Sequence, residues 1–386
     1  MTSPTQRTLG AGLLLVALAP TSCSRRQESA SAPAPTPVIS PAASAPAPGS
    51  AASAAPAAPK AAPPAHLKLV GRFDTSDPAA VRFAWSGSMI AARFHGTAVS
   101  ARLRDEGRNL FQVLVDGAPH AVLKTDAAKE SYVLAEGLSD GAHEVALYKR
   151  TEARVGEVAF LGFEPQGTML PPPAPADRRV EIIGDSISAG YGNEGPGPAC
   201  TFNPAEENQY MSYGAIAARA LHAEHVTIAW AGKTIGEMTE YYERALPARP
   251  ESQWDFASWI PQLVVMNIGT NNFATYDPGE TRYVRIYTHL FDRVRTVYPH
   301  ALIVCLLGPM LTDVYPPGKH NLTLARLYMK ATMAKIKASG ETNFEYVELP
   351  EQRHADGLGC GFHPSVKTHK LMADRVVAVA RARLGW

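Results

Sequence analysis

An α/β domain built on a parallel sheet, preceded by an all-β sandwich or jelly roll, is the fold class this sequence predicts. Three observations predict it. From Asp177 onward, short apolar runs alternate with helical patterns, the sign of a parallel sheet. From His66 to about Gly167, short alternating runs are separated by turn residues, and no helical period competes. Pro171-Pro172-Pro173 and Pro175 mark a boundary between the two regions.

The chain has 386 residues, enough for two domains and a sizeable core. Its formal charge of +1 offers no electrostatic footprint for nucleic acid or an anionic membrane surface. Charged residues make up only 19% and there are 32 prolines, so part of the chain reads as non-globular.

Residues 1–23 read as a targeting segment. Arg7 precedes an apolar run, Leu9 to Ala19, that is too short to span a bilayer and suits the core of a signal peptide. Pro20-Thr21-Ser22-Cys23 places a small residue before Cys, as at a bacterial lipoprotein cleavage site, although Pro20 stands where an aliphatic residue is usual. Cleavage after Ala17-Leu18-Ala19 is the alternative, with Pro20 disfavouring it. The expectation is an exported protein, lipid-anchored through Cys23 or otherwise secreted. Residues 24–65 are mostly Ala, Pro and Ser; they cannot bury enough surface to offset ordering entropy and read as an extended disordered linker.

Strand character in the sandwich region, 66–172, is carried by runs at 81–85, 89–94, 111–115 and 143–148. Ser86-Gly87-Ser88, Asp116-Gly117 and Ser139-Asp140-Gly141 punctuate them as turns. In the region 173–386, Val180 to Ile183, Val226 to Trp230, Leu263 to Ile268 and Leu302 to Leu307 read as buried strands. Tyr210 to His222 and Thr368 to about Arg383 have helical apolar faces.

Three of those strands end in glycine and polar residues: Gly184-Asp185-Ser186, Ala231-Gly232-Lys233 and Gly269-Thr270-Asn271-Asn272. In a parallel sheet those ends share one edge, so the three loops converge. Ser186 is the candidate nucleophile. The Ser186 and Gly232 N–H groups with the Asn271 side-chain amide are neutral donors suited to an oxyanion. The base is expected from Gly361-Phe362-His363-Pro364, where Pro364 biases His363 away from helical angles.

These four blocks, in this order, resemble the SGNH (GDSL-type) hydrolases over roughly Val180 to the C-terminus. With the sandwich in front, the resemblance sharpens to the family 2 carbohydrate esterases. Further blocks that look like that family are Lys149-Arg150-Thr151-Glu152, Gly190-Tyr191-Gly192-Asn193-Glu194, and His363-Pro364-Ser365 with Thr368-His369. The resemblance implies a serine esterase that removes acetyl groups from xylan or a mannan-type polysaccharide through an acetyl-enzyme, with no cofactor or metal. It also implies an acetylated polysaccharide or oligosaccharide as partner. The alternatives are the same chemistry on another ester, such as a lysophospholipid, thioester or aryl ester, and a glycan-binding protein whose catalysis has faded.

Two positions depart from the SGNH pattern. Cys360 stands three residues before His363, where an Asp is usual, and Gly361 stands at the alternative position. Asp356, seven before the histidine, reaches it only if Gly357-Leu358-Gly359 folds back. The resemblance implies instead a Ser–His dyad whose histidine is oriented by a backbone carbonyl. Asn272 stands where Asp usually follows the Asn, which implies an altered supporting hydrogen bond.

Of the four cysteines, Cys23 is assigned to the lipid and Cys305 lies in an apolar strand as an ordinary buried thiol. That leaves Cys200 and Cys360, either bridged across two active-site loops or unpaired. Ser188 reads as a loop polar residue, Ser365 as a helix start, His354 and His369 as surface or helix positions. His222 and His225 have a His-x-x-His spacing, but with no third ligand they read as a solvated helix end. Trp85, Trp230, Trp254 and Trp259 read first as core aromatics, with one or two lining a sugar groove as the alternative.

Overall fold

In the computed structural model of the chain the described residues are 65–386. The expected signal segment, with Cys23, and nearly all of the expected Ala/Pro/Ser-rich linker lie outside them. Among the described residues no helix is long and apolar enough to cross a membrane.

The first strands are β1 (Lys68–Val70), β2 (Val81–Phe83), β3 (Met89–Arg104), β4 (Leu110–Val115), β5 (Ala118–Lys124), β6 (Ser131–Ala135), β7 (Gly141–Lys149) and β8 (Val158–Leu170). All are antiparallel and in the order β2-β8-β3-β7-β4-β5, with β1 and β6 also on β3. The long β3 pairs with β7 over its first half and with β6 over its second, and its register shifts between Gly96 and Val99. One strand thereby serves two layers, which close around a core of Phe83, Phe94, Phe111, Leu147 and Phe160.

The sequence reading captured only the start of β3 and did not name β5, β6 or β8. β5 is an exposed edge strand carrying Pro119, and β8 is interrupted by Gly162, Pro165 and Gly167, so neither shows a clean alternation.

The second region runs β9 (Arg178–Gly184), α1 (Ser186–Ala189), α2 (Tyr213–Ala220), β10 (Ala223–Ala229), α3 (Ile235–Tyr241), β11 (Leu263–Asn267), α4 (Glu280–Val297), β12 (Leu302–Leu307), α5 (Asn321–Ala338), β13 (Phe344–Glu348) and α6 (Val366–Leu384). The five strands are parallel, ordered β10-β9-β11-β12-β13. Successive side chains of β9 face opposite layers: Val180 and Ile182 meet Tyr213, Ala217 and Met372 of α2 and α6, while Ile183 meets Met238, Tyr287 and Met329 of α3, α4 and α5. β9 lies between β10 and β11, so the ends of the three strands named from the sequence are neighbours on one edge.

The two regions share a core. Val70 and Trp85 of the sandwich pack with the α3–α5 layer. Arg72 crosses the boundary to Glu181 on β9 (Nη2 to Oε2, 3.3 Å), and both side chains are fully buried. The hydroxyls of Tyr242 and Tyr298 donate to the same carboxylate at 2.7 and 3.2 Å, and the guanidinium lies over the rings of Tyr242, Trp254 and Phe256.

A candidate active site at the carboxyl edge of the parallel sheet

β9 ends at Gly184 because nothing larger fits: a Cβ there would stand 2.1 Å from the Ser188 hydroxyl. Asp185 then caps α1 by accepting the Ile187 N–H at 3.1 Å, which puts Ser186 at the first helical position. Burial pushes the Asp185 carboxyl up to about 7.

His363 arrives from the other end of the chain. Its φ and ψ of −72° and 159° are extended, as the following proline requires. Its Nε2 lies 2.8 Å from the Ser186 Oγ, and its Nδ1 faces the Cys360 carbonyl oxygen at 3.0 Å. A backbone carbonyl thus occupies the place of an orienting carboxylate. Asp356 is turned away, paired to Arg353 at 2.9 Å and Lys367 at 2.7 Å. Burial first, helped by the nearby Arg154 charge, lowers the His363 pKa to about 4 against the opposing pull of the carbonyl.

The histidine loop is pinned to the loop that follows the nucleophile. Cys200 and Cys360 form a disulfide. The Cys360 N–H donates to the Gly192 carbonyl at 3.0 Å. The loops touch so closely that a Cβ on Gly359 would lie 2.1 Å from that same oxygen. A Glu206 carboxylate oxygen and the two sulfurs lie within 4.8 Å of one another, a spacing a metal could use, but the bridge consumes both thiols.

The oxyanion candidates lie on the neighbouring loops. No hydrogen bond among the described residues uses the N–H of Ser186 or of Gly232. Asn271 donates one amide hydrogen to the Lys233 carbonyl at 3.0 Å, which holds the side chain against the Gly232 loop and leaves its second hydrogen. Asn272 accepts the Ile235 N–H at 3.1 Å and so tethers this loop to the start of α3.

Other residues sit differently from the sequence reading. Ser188 belongs to α1 and is buried against the Tyr213 hydroxyl at 2.9 Å. His369 is a helix position, one of the two readings offered, and a buried one; its Nδ1 accepts the Tyr213 N–H at 3.1 Å and burial lowers its pKa to about 3. His225 is no solvated helix end. It lies in β10, buried where the two regions meet, with Nε2 2.7 Å from the Tyr148 hydroxyl, and burial lowers its pKa to about 3. Ser365 does cap α6, accepting the Thr368 N–H at 3.3 Å. Trp85 is fully buried, whereas Trp230 is half-buried beside the Gly232 loop, edge-on to Trp85 at 6.5 Å.

Sequence reasoning assigned no role to the residues behind His363. Tyr191 packs on its imidazole with centroids 4.4 Å apart and stacks on Phe202 at 4.3 Å. The Arg154 guanidinium covers both rings at 5.0 and 4.3 Å. Arg150 forms an ion pair with Glu194, so two blocks that carried the family resemblance meet in space.

Two family models match the chain: Carbohydrate esterase 2 N-terminal over residues 69–173, and GDSL-like Lipase/Acylhydrolase family over residues 182–371. A family two carbohydrate esterase from Clostridium thermocellum, solved in complex with cellohexaose, is 41% identical. The match covers 83% of this chain and 99% of that one, with a TM-score of 0.79. This chain belongs to family 2 of the carbohydrate esterases.

Cellulase/esterase CelE of Acetivibrio thermocellus is 42% identical over 82% of the chain, which spans only 39% of that relative's length. An acetylxylan esterase / glucomannan deacetylase of Cellvibrio japonicus is 24% identical, with 84% of this chain and 91% of that protein covered. The antiparallel unit in front of a parallel-sheet GDSL unit is the arrangement these family models divide between them.

Proposed function

We propose that the protein is an exported serine esterase that removes O-acetyl groups from plant cell-wall polysaccharide, xylan or glucomannan. The 2.8 Å contact between Ser186 Oγ and His363 Nε2 carries the reading. His363 takes the Ser186 proton as the hydroxyl attacks the acetyl carbonyl. The N–H groups of Ser186 and Gly232 and the Asn271 amide receive the oxyanion. The protonated imidazole then gives its proton to the departing sugar hydroxyl, leaving acetyl-Ser186. Water, deprotonated by the same histidine, releases acetate and restores the hydroxyl. The Cys360 carbonyl holds Nδ1–H, which selects the tautomer with a bare Nε2. The relatives named acetylxylan esterase / glucomannan deacetylase support the acetyl and polysaccharide parts of the reading.

Acetate release from acetylated xylan and acetylated glucomannan tests it, beside acetyl and long-chain p-nitrophenyl esters, with Ser186→Ala run in parallel. Release that disappears in the variant is expected. Turnover confined to long acyl chains would reassign the substrate to lipid. Glycan binding with no turnover of any ester would leave a binding protein.

The lowered His363 pKa adds a pH prediction. The base must be neutral, and with a pKa of about 4 it stays neutral far below the usual imidazole range. The acid limb of kcat/KM on p-nitrophenyl acetate should therefore inflect near pH 4; an inflection at 6 to 7 would contradict a buried, carbonyl-held base. Export and lipidation at Cys23 are part of the proposal too, and loss of labelled-palmitate incorporation in Cys23→Ser would test the anchor.

A further inference from the structure

The oxyanion loop has a partner in the Lys149-Arg150-Thr151-Glu152 block, to which the sequence assigned no role. Glu152 lies just beyond β7, in the link from the sandwich's penultimate strand to β8, and its side chain is fully buried. Its Oε2 accepts the Ala231 N–H at 2.6 Å, and its Oε1 forms a 2.6 Å ion pair with Arg154 Nε. Its own backbone N–H donates to the buried Glu207 carboxylate at 3.0 Å, while Lys149 Nζ donates to the Glu152 and Thr151 carbonyls at 3.3 and 2.8 Å. The backbone of Glu152 is thus held by Glu207 and Lys149, while one carboxylate oxygen accepts from Ala231 and the other pairs with Arg154.

Ala231 directly precedes Gly232, whose φ of +81° a glycine adopts freely, so the aim of the turn is set by its contacts. The turn is fixed at two further points: the Lys233 N–H donates to the Trp230 carbonyl at 3.3 Å, and the Lys233 carbonyl accepts from Asn271. With the Ala231 N–H taken by Glu152, the peptide plane that carries the Gly232 N–H has little freedom to rotate. Through its other oxygen Glu152 holds Arg154, and Arg154 covers the Tyr191–Phe202 stack against which His363 packs.

We propose that Glu152 is a positioning residue for ester hydrolysis: a carboxylate from the sandwich that aims the Gly232 oxyanion donor. The inference rests on the serine-esterase reading of the site. Because acylation and deacylation both pass through an oxyanion, misplacing that donor lowers kcat whichever step limits, and leaves substrate affinity nearly unchanged.

Three variants separate reach from charge. Glu152→Gln keeps an acceptor for Ala231 N–H but loses the charge opposite Arg154. Glu152→Asp keeps the charge but withdraws the acceptor by one methylene. Glu152→Ala removes both. On p-nitrophenyl acetate, Glu152→Gln should retain kcat within about fivefold. Glu152→Asp and Glu152→Ala should lose roughly 10- to 100-fold in kcat with KM within about threefold, a fraction of the loss from deleting a whole oxyanion donor. A purely structural ion pair predicts the reverse order, with the Asp variant the more active, and that order would overturn the proposal. So would wild-type kcat in Glu152→Ala. Should the Ala variant fail to fold, the Gln and Asp pair decides alone. A wild-type protein inert toward every acetyl ester would count against the esterase reading itself.

Discussion

Replacing His363 with alanine is expected to lower kcat for an acetyl ester by on the order of 10⁴-fold or more, while Asp356→Asn stays within about threefold of the wild type. The contrast follows from where the two side chains point. His363 is the group seen against the Ser186 hydroxyl, so its loss removes both the base for attack and the acid for departure. Asp356 is engaged by Arg353 and Lys367, and its backbone carbonyl accepts the Ser365 hydroxyl at 2.7 Å; it shapes the start of α6 without approaching the imidazole. Steady-state kinetics on p-nitrophenyl acetate, normalised to the concentration of folded protein, measures both. A loss of 100-fold or more in Asp356→Asn would mean that a carboxylate does reach His363 during turnover.

The second large effect concerns stability. Arg72→Met should destabilise the protein by about 3–5 kcal/mol, because it strands the Glu181 charge inside the joint between the two regions. The two tyrosine hydroxyls on Glu181 cannot replace a cation, and the aromatic rings around Arg72 would face an aliphatic side chain in its place. A melting transition lowered by roughly 6–10 °C is the expected reading. The double variant Arg72→Met with Glu181→Gln keeps an acceptor for both tyrosines without the charge, and should recover at least half of the loss. Equal melting temperatures for Arg72→Met and the wild type would show that the pair contributes nothing.

The blocks of the candidate site were legible because their chemistry sits at fixed places relative to short apolar strands. A glycine and a polar residue after Ile183, after Ala229 and after Ile268 each announce a loop at the same sheet edge, and Pro364 marks the histidine's backbone. β13 escaped because it is a half-exposed edge strand with Glu345 and Glu348 in it, and periodicity fades where burial does. His225 and Arg72 escaped for a different reason. Each is buried by the other region of the chain, so local pattern makes a solvated residue of what the joint encloses. Glu152 meets Ala231 across 79 positions, and no spacing rule covers such a pair.

The partner of His363 is an oxygen of the main chain, and this changes which substitutions can disturb the site. An aspartate in that role can be lost through one codon change or silenced by acid as it takes up a proton. The Cys360 carbonyl is carried by whatever amino acid is encoded there, and it does not titrate. Mutation can reach it only by moving the loop, and the loop is moored by the Cys200 bridge, the Gly192 carbonyl and the absence of side chains at Gly192 and Gly359. The hold on His363 in this chain therefore rests on two glycines and a pair of cysteines, and not on an acid.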